Sequence, residues 1–185
     1  MLGLAAQWLG VNQTQANSVA PILISEEQGR HKSTFCRMLM PPQLARYYSD
    51  NLKLTAQGNP ERLLAEMGLL NMDEFDKFGA QKMPLLKNLM QMSSLNICKA
   101  YQKNFRSLPR IASFIGTSNR TDLLCDPTGS RRFICIEAEH DIDCTGIEHS
   151  QIYAQLKEEL LAGARHWFNK EEEHALQCHN MAYYH

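Results

Sequence analysis

The sequence lacks a long hydrophobic run, closely spaced cysteine pairs and a large net charge, and each absence excludes a class of protein. No apolar stretch approaches the ~18 residues of a membrane-spanning helix. The N-terminal segment MLGLAAQWLG has neither the positive start nor the cleavage site of a signal peptide. A formal net charge of -1 gives no global attraction to nucleic acid or to a membrane surface. We therefore expect a cytoplasmic protein with no membrane association.

The six cysteines are scattered, and none forms the C-x-x-C spacing of a zinc or redox site. Together with nine methionines, this scatter favours a reducing compartment and buried thiols. A weaker alternative is a metal site at His174, Cys178 and His179, which lie close together at helical spacing. No second ligand pair accompanies them, so the pattern favours core cysteines.

A chain of 185 residues is long enough to bury a full hydrophobic core. Its apolar segments alternate between short strand-like and longer helix-like patterns. Strands are predicted over residues 19–24, 47–54, 110–119 and 131–139. Helices are predicted over residues 32–40, 59–68 and 82–92 and from 147 onward, with Ile152, Leu156, Leu160 and Leu161 in one stripe. Apolar strands that alternate with helices are typical of a parallel sheet covered on both faces.

The same patterns divide the chain into three parts. We expect a helical lead-in over residues 1–18, an α/β core over 19–146 and a C-terminal helical segment over 147–185. No internal repeat or low-complexity segment is visible.

The segment ILISEEQGRHKSTFCRML joins a predicted strand to a predicted helix and contains the Lys-Ser-Thr of a phosphate-binding loop. In such a loop the lysine spans the β- and γ-phosphate oxygens and the hydroxyl binds Mg²⁺. These roles fall on Lys32 and Ser33. The consensus glycines are replaced by Glu26 and His31, and the motif alone also fits a helix N-terminus with an exposed lysine. The remaining candidate nucleotide-binding residues of this loop are Gln28, Gly29, Arg30, His31 and Thr34.

Three further segments supply groups that an ATP-hydrolysing P-loop protein needs beyond its loop. The apolar run GLLNM is followed by Asp73, a candidate Mg²⁺ ligand, and Glu74, a candidate general base. Asn119 ends the predicted strand FIGTSN, where a polar side chain contacts the γ-phosphate and the attacking water. Arg131 and Arg132 precede another strand, and arginine neutralises charge on a γ-phosphoryl group, often in a neighbouring subunit.

Each of these segments alone also fits a solvated turn, but they occur in the required order and at the expected strand ends. We therefore predict that the four segments meet at one edge of the sheet and bind ATP with Mg²⁺. The combination also resembles a known family.

The segments EEQGRHKSTF, NMDEFD, PRIASFIGTSN and DPTGSRRF resemble the ATPase domain of the virulence-associated protein E family, over roughly residues 20–167. The resemblance implies an AAA+-like P-loop NTPase fold, a three-layer α/β sandwich with a mainly parallel sheet of about five strands. It also implies similarity to superfamily 3 helicases, and a homo-oligomeric ring, for instance a hexamer, that acts on DNA in replication or mobilisation of phage-like elements. The family's functional positions match Lys32, Ser33, Asp73, Glu74, Asn119 and the Arg131–Arg132 pair.

The near-zero net charge hides a local asymmetry, because residues 77–121 contain eight basic residues and no Asp or Glu. Within this stretch NICKAYQKNFRSLPR interleaves aromatic residues with Lys99, Lys103 and Arg106, a composition typical of single-strand binding. It lies where the helicases that the chain resembles insert a hairpin into the ring channel. We predict that these three residues bind single-stranded DNA. The alternative is a solvated basic edge whose aromatic rings pack on the core.

The leading interpretation is an ATP-hydrolysing, helicase-like domain. The departures at Glu26 and His31 keep a second one open, because a side chain at positive φ costs about 1 kcal/mol and a carboxylate near a triphosphate is unfavourable. That second interpretation is a nucleotide-binding switch or scaffold with little turnover. A third is a DNA-binding module with a vestigial nucleotide site.

Overall fold

The computed structural model describes residues 1–11, 16–97 and 106–184, and it confirms an α/β fold around a parallel sheet. In chain order the strands are β1 (Ala20–Ile24), β2 (Tyr48–Ser49), β3 (Leu69–Met72), β4 (Ser94–Ile97), β5 (Arg106–Pro109), β6 (Ser113–Ser118) and β7 (Phe133–Glu137). The α-helices are α1 (Leu2–Leu9), α2 (Lys32–Met38), α3 (Pro60–Glu66), α4 (Met83–Gln91), α5 (His149–Leu161) and α6 (Lys170–Asn180).

The main sheet has five strands in the order β2-β3-β6-β1-β7, and every neighbouring pair is parallel. Ile24 at the end of β1 is in register with Ser118 at the end of β6, and Met72 at the end of β3 is in register with Gly116. The chain therefore leaves β1, β3 and β6 at neighbouring points of one sheet edge. Loops at the carboxyl ends of parallel strands are where such folds build their sites.

Alternating side chains of the strands reach both faces of the sheet, which explains why the strands are nearly fully apolar. In β1, Ile22 and Ile24 face a cluster that contains Leu64 of α3 and Leu86 of α4. Leu23 faces a second cluster with residues of α1 and α2. Helices thus cover both faces, and the predicted three-layer sandwich is confirmed.

Two sequence-based predictions about elements are wrong in part. The strand predicted over 47–54 is paired only at Tyr48–Ser49, because the chain then turns and the Asn51 N–H donates to the Ser49 hydroxyl. In α5, Leu156 and Leu160 are buried against α1, whereas Leu161 is 77 % exposed. A helix advances about 100° per residue, so Leu161 cannot share the face of Leu160.

An antiparallel pair formed by β4 and β5 lies apart from the main sheet, with Ser94 opposite Pro109 and Ile97 opposite Arg106. This is the position at which the sequence resemblance places a hairpin. The residues between these strands, Lys99 and Lys103 among them, lie outside the described residues.

The thiols are less uniformly buried than the sequence suggests. Cys36 and Cys135 are buried, and burial raises the pKa of each thiol to about 12. Cys178 is exposed, 3.8 Å from His174 Nε2, whereas His179 Nε2 lies 3.0 Å from the Cys135 carbonyl oxygen. Among the described residues no group of three ligands is assembled for a metal. No helix within the described ranges is long and apolar enough to cross a membrane.

Candidate functional site

The loop after β1 contains left-handed backbone at two positions, Gly29 with φ of 86° and His31 with φ of 60°. His31 is the residue before α2, at the second of the two positions where the consensus has glycine. The geometry there is therefore the one that glycine adopts without strain, and a side chain at this position costs roughly 1–2 kcal/mol. The loop keeps its conformation despite an unfavourable residue.

The charged residues of this loop pair with each other and with one downstream acid. Arg30 donates to Glu27 Oε2 at 2.5 Å and lies 3.6 Å from Asp141 Oδ1. Glu26 is exposed and makes no salt bridge with the described residues. Gln28 and Thr34 are exposed as well. The charge of Arg30 is thus engaged by Glu27 and Asp141, and Glu26 remains uncompensated.

Lys32 is the first residue of α2 and is only 8 % exposed. Its Nζ donates to the Ser25 carbonyl and to Asn119 Oδ1, both at 3.0 Å. Both acceptors are neutral, and Lys32 makes no salt bridge within the described part of the chain. Burial lowers the pKa of Lys32, and the negative charge of Asp73 opposes that shift. A buried ammonium with only neutral partners is stabilised by a nearby anion.

Ser33 and Asp73 lie together as the sequence predicts, with Ser33 Oγ donating to Asp73 Oδ1 at 2.9 Å. The same carboxylate oxygen accepts a hydrogen bond of 2.6 Å from Thr117 Oγ1. Hydroxyl and carboxylate oxygens are ligands that Mg²⁺ prefers. The donor set of Ser33 and Asp73 therefore fits a magnesium ion.

Sequence reasoning missed Thr117, although it lies in the FIGTSN segment. Its hydroxyl donates to Asp73 and accepts the Glu74 N–H at 3.3 Å, so it fixes both candidate residues. Alternation along β6 was the available signal, because Thr117 and Asn119 are two residues apart and share a face.

Glu74 has left-handed backbone, with φ of 52°, two residues after the end of β3. Its carboxylate pairs with Lys77 Nζ at 2.6 Å, and both side chains are largely exposed. Glu74 thus lies at the same sheet edge as Asp73 with its charge engaged by a neighbouring lysine.

Arg131 and Arg132 lie at the opposite edge of the sheet. They directly precede β7, whose first residue is in register with Ala20 and whose last is in register with Ile24. The length of β1, roughly 15 Å at about 3.3 Å per residue, separates them from their own loop. The prediction that all four segments meet at one edge is therefore correct for three and wrong for the arginines.

The two arginines have different surroundings. Arg131 donates a hydrogen bond to Glu173 of α6 at 3.1 Å, and both side chains are partly exposed to solvent. Arg132 is half-buried, and burial together with the neighbouring Arg131 lowers its pKa. Arg132 is the less solvated of the two cations.

Three basic residues of the stretch over 77–121 pair with acids that lie just outside it. Lys77 pairs with Glu74, Lys87 with Asp126 and Arg120 with Asp122. Arg110, one of the eight basic residues counted in this stretch, is buried, 1 % exposed, and so is not part of a basic surface. Arg106 in β5 is exposed. Of the three predicted DNA-binding residues, Arg106 is the one within the described part of the chain, and it lies on the β4–β5 hairpin.

Two cavities lie elsewhere. One of about 380 Å³ lies between α1, the start of β1 and the segment Arg165–Phe168. The other, of about 630 Å³, is lined by Trp8, Tyr47 and residues of α3. Neither is lined by a residue of the loop that carries Lys32.

Comparison with known families bears on this arrangement. The profile of the virulence-associated protein E-like domain matches residues 10–185. The chain belongs to this family. The match covers all of the site described above, so the family resemblance and the fold expected from the sequence motifs are both confirmed.

Solved structures similar to this virulence-associated protein E-like domain include three of the C-terminal region of NrS-1. They are an apo structure with a TM-score of 0.52 and 20 % identity and two A-form apo structures with TM-scores of 0.50 and identities of 19 % and 18 %. Each alignment covers 98 % of this chain and 38–40 % of the NrS-1 chain, so the domain spans about two fifths of that length. This likeness supports the fold. No curated protein matches the chain significantly.

Proposed function

We propose that this domain binds ATP with Mg²⁺ at the carboxyl edge of β1, β3 and β6, and hydrolyses it to drive action on DNA during replication. The observation that carries the proposal is the environment of the Lys32 ammonium. This ammonium is buried, its hydrogen-bond acceptors among the described residues are both neutral, and it lies beside a hydroxyl and a carboxylate suited to a divalent cation. A polyphosphate with its metal supplies the anion and the cation that this arrangement favours.

In this proposal each residue of the site has a role that follows from its position. Lys32 exchanges its bonds to Ser25 and Asn119 for phosphate oxygens, and Ser33 and Asp73 hold the metal. The bound ion supplies charge neutralisation at the phosphates. Glu74, next to Asp73 on the same edge, accepts a proton from the attacking water. Gln28, Gly29, Arg30, His31 and Thr34 border the nucleotide.

Asn119 has two partners in this scheme. Its Oδ1 accepts a hydrogen bond from Lys32, and in the proposed scheme that oxygen orients the attacking water once Lys32 contacts the phosphates. The same side chain therefore links occupancy of the loop to alignment of the water.

The arginines belong to a neighbouring subunit's site in this proposal. Their distance from their own loop leaves them able to act only in trans, which requires a head-to-tail contact between copies and fits a ring. Arginine in that position stabilises charge on a transferring phosphoryl group. We propose Arg131 and Arg132 as the catalytic pair of that contact.

The β4–β5 hairpin is the proposed DNA contact, through Arg106 and, outside the described residues, Lys99 and Lys103. Single-strand binding through phosphates is salt-dependent, with a slope that reflects the number of cations engaged. Arg106→Ala is expected to weaken binding of an oligothymidylate and to reduce the salt slope. Arg62→Ala, which removes an exposed arginine of α3, serves as the matched control, and equal effects of the two variants would contradict the assignment.

Steady-state phosphate release tests the ATPase proposal. The wild-type protein is compared with Lys32→Ala and Glu74→Gln, with and without single-stranded DNA. We expect Lys32→Ala to abolish nucleotide binding, and Glu74→Gln to retain binding while it loses turnover. Background release in all three proteins, with a thermal shift by Mg-ATP in the wild type and Glu74→Gln but not in Lys32→Ala, would instead identify a nucleotide-dependent switch.

The switch is favoured by two observations. His31 holds a left-handed backbone position, and Glu74 is paired with Lys77 rather than free to receive a proton. Both reduce turnover more than binding. If Mg-ATP produces no thermal shift, the domain is a DNA-binding module without a nucleotide site.

A further inference from the structure

The loop after β3 carries two carboxylates, and both are hydrogen-bonded to the end of β6. Asp73 accepts from the Thr117 hydroxyl. Asp76 Oδ1 accepts from Ser118 Oγ at 3.1 Å and from the backbone N–H of Asn119 at 3.4 Å. Successive strand residues point to opposite faces, so the two carboxylates hold the strand end from both sides.

Asp76 is held in place by its neighbours. It lies in the single turn Phe75–Lys77, and Phe75 is fully buried, with its ring 4.8 Å from that of Phe133. The turn is thus anchored in the core, and the acceptor oxygen of Asp76 has a fixed position. Motion of the end of β6 relative to β3 breaks the bonds to this oxygen.

The turn that Asp76 holds is the one that carries Asn119. Ser118 Oγ lies 2.8 Å from the Arg120 carbonyl oxygen and accepts the Arg120 N–H at 3.0 Å, which closes the turn around residue 119. The Asn119 side chain then reaches Lys32 Nζ. The position of that amide is therefore set by its backbone, and its backbone by Asp76 and Ser118.

We propose that Asp76 is a positioning residue of the nucleotide site, which acts through Asn119 and touches neither nucleotide nor metal. The proposal rests on the proposed function, because it concerns the same site. It gives the third acid of the DEFD segment a role separate from those of Asp73 and Glu74: the first two act on metal and water, and the third aligns the residue that orients the water.

The test compares kcat and KM for Mg-ATP in the wild type, Asp76→Ala and Asp76→Asn. Loss of the carboxylate frees the turn, so Asp76→Ala is expected to lower kcat about tenfold or more with KM nearly unchanged, the sign of an interaction needed in the transition state. Asp76→Asn keeps an acceptor oxygen and is expected to recover most of kcat. Glu66→Ala removes a carboxylate that pairs with Arg62 on α3 and controls for general loss of surface charge.

A double-mutant cycle with Asn119→Ala separates positioning from simple loss of stability. If Asp76 acts through Asn119, adding Asp76→Ala to Asn119→Ala lowers kcat no further. A full additional decrease, or a wild-type kcat in Asp76→Ala, overturns the proposal. Bound nucleotide per protein, measured for every variant, corrects for any unfolded fraction.

Turnover and Mg-ATP binding in the wild-type protein test the proposed function separately from the role of Asp76. If the wild type binds Mg-ATP without turnover, no attacking water is oriented at the site, and the role of Asp76 is refuted while nucleotide binding stands. If the wild type shows neither shift nor turnover, the site binds no nucleotide, and the role of Asp76 is refuted together with the proposed function.

Discussion

Ser33 Oγ and Asp73 Oδ1 are 2.9 Å apart although forty positions separate them in the chain. The hydrogen bond joins the start of α2 to the end of β3, two elements that pack on neighbouring parts of the sheet. Thr117 binds the same carboxylate oxygen from β6. Three chain segments, the start of α2, the loop after β3 and the end of β6, therefore converge on one carboxylate oxygen.

Ser33→Ala is expected to remove the magnesium dependence of nucleotide binding. Asp73 stays in place through Thr117, so the loss reports on the metal ligand rather than on the fold. A ligand present at 100 times its Kd adds about 2.7 kcal/mol to stability, which a thermal shift measures readily. We expect Mg-ATP to shift the variant no more than ATP with EDTA does. Ser49→Ala, which removes a hydroxyl outside the site, should behave like the wild type.

Glu26→Gln is expected to raise the affinity for Mg-ATP severalfold at low ionic strength. Glu26 is exposed and uncompensated in the loop, and removing its charge reduces repulsion of the phosphates. Because the effect is electrostatic at an exposed position, it should shrink as salt rises. Titration at two salt concentrations checks this, with Glu61→Gln on α3 as control. A gain that salt does not reduce would contradict an electrostatic cause.

Lys77→Met is expected to raise kcat while leaving the Kd for Mg-ATP unchanged. Lys77 engages the Glu74 carboxylate at 2.6 Å, and Glu74 also raises the pKa of Lys77. Removing the cation frees the proposed base to receive a proton. Single-turnover hydrolysis and equilibrium binding give the two quantities. Lys53→Met, which removes an exposed lysine outside the loop, serves as the control.

Nucleotide affinity is expected to fall at alkaline pH, beginning below the ordinary lysine pKa of 10.5. Burial lowers the pKa of Lys32 in the folded protein, so the ammonium is present below that lowered value and lost as pH rises through it. The same shift affects the free energy of unfolding. Between the lowered pKa of the folded protein and the ordinary pKa, the unfolded chain binds more protons at Lys32 than the folded protein does, so stability rises with pH over this window. Mg-ATP titrations from pH 7 to about 10 check the direction, and an affinity that stays constant over this range would contradict the prediction.

Arg110→Met is expected to destabilise the domain by about 3 kcal/mol or more, by analogy with loss of a buried hydrogen-bonded charge. The Arg110 guanidinium donates to the carbonyls of Met90 at 2.6 Å, Asn17 at 2.7 Å and Ala112 at 2.8 Å. Methionine would fill the space but leave these acceptors without donors. Urea unfolding measures the change. A variant as stable as the wild type would show that water replaces the guanidinium at low cost.

Much of the site could be predicted from local sequence because each residue type has a narrow chemical use. Lys32-Ser33 after an apolar strand, and Asp73 after another, identify a strand-edge site through residue chemistry and position alone. The hydrophobic patterns likewise predicted the core strands, since a strand buried on both faces has few alternatives. Family membership follows from the same segments.

Contacts between distant segments were not predictable in this way. Local sequence does not assign the roles of Thr117 and Asp76, because these roles depend on β3 and β6 being neighbours in the sheet. Arg110 reads as one more surface cation of a basic stretch until its surroundings are known. The pairing of Lys87 with Asp126 joins positions 39 apart, which local sequence does not place together.

The sequence by itself determined the fold class, the nucleotide-type loop and the order of the strand-edge motifs, because hydrophobic periodicity and residue chemistry are local properties. Only the tertiary structure decided which motifs meet. Strand order puts β1, β3 and β6 side by side, and parallel direction puts the start of β7, with Arg131 and Arg132, at the far edge. Strand order and direction arise from packing among all elements at once, so no single segment encodes them.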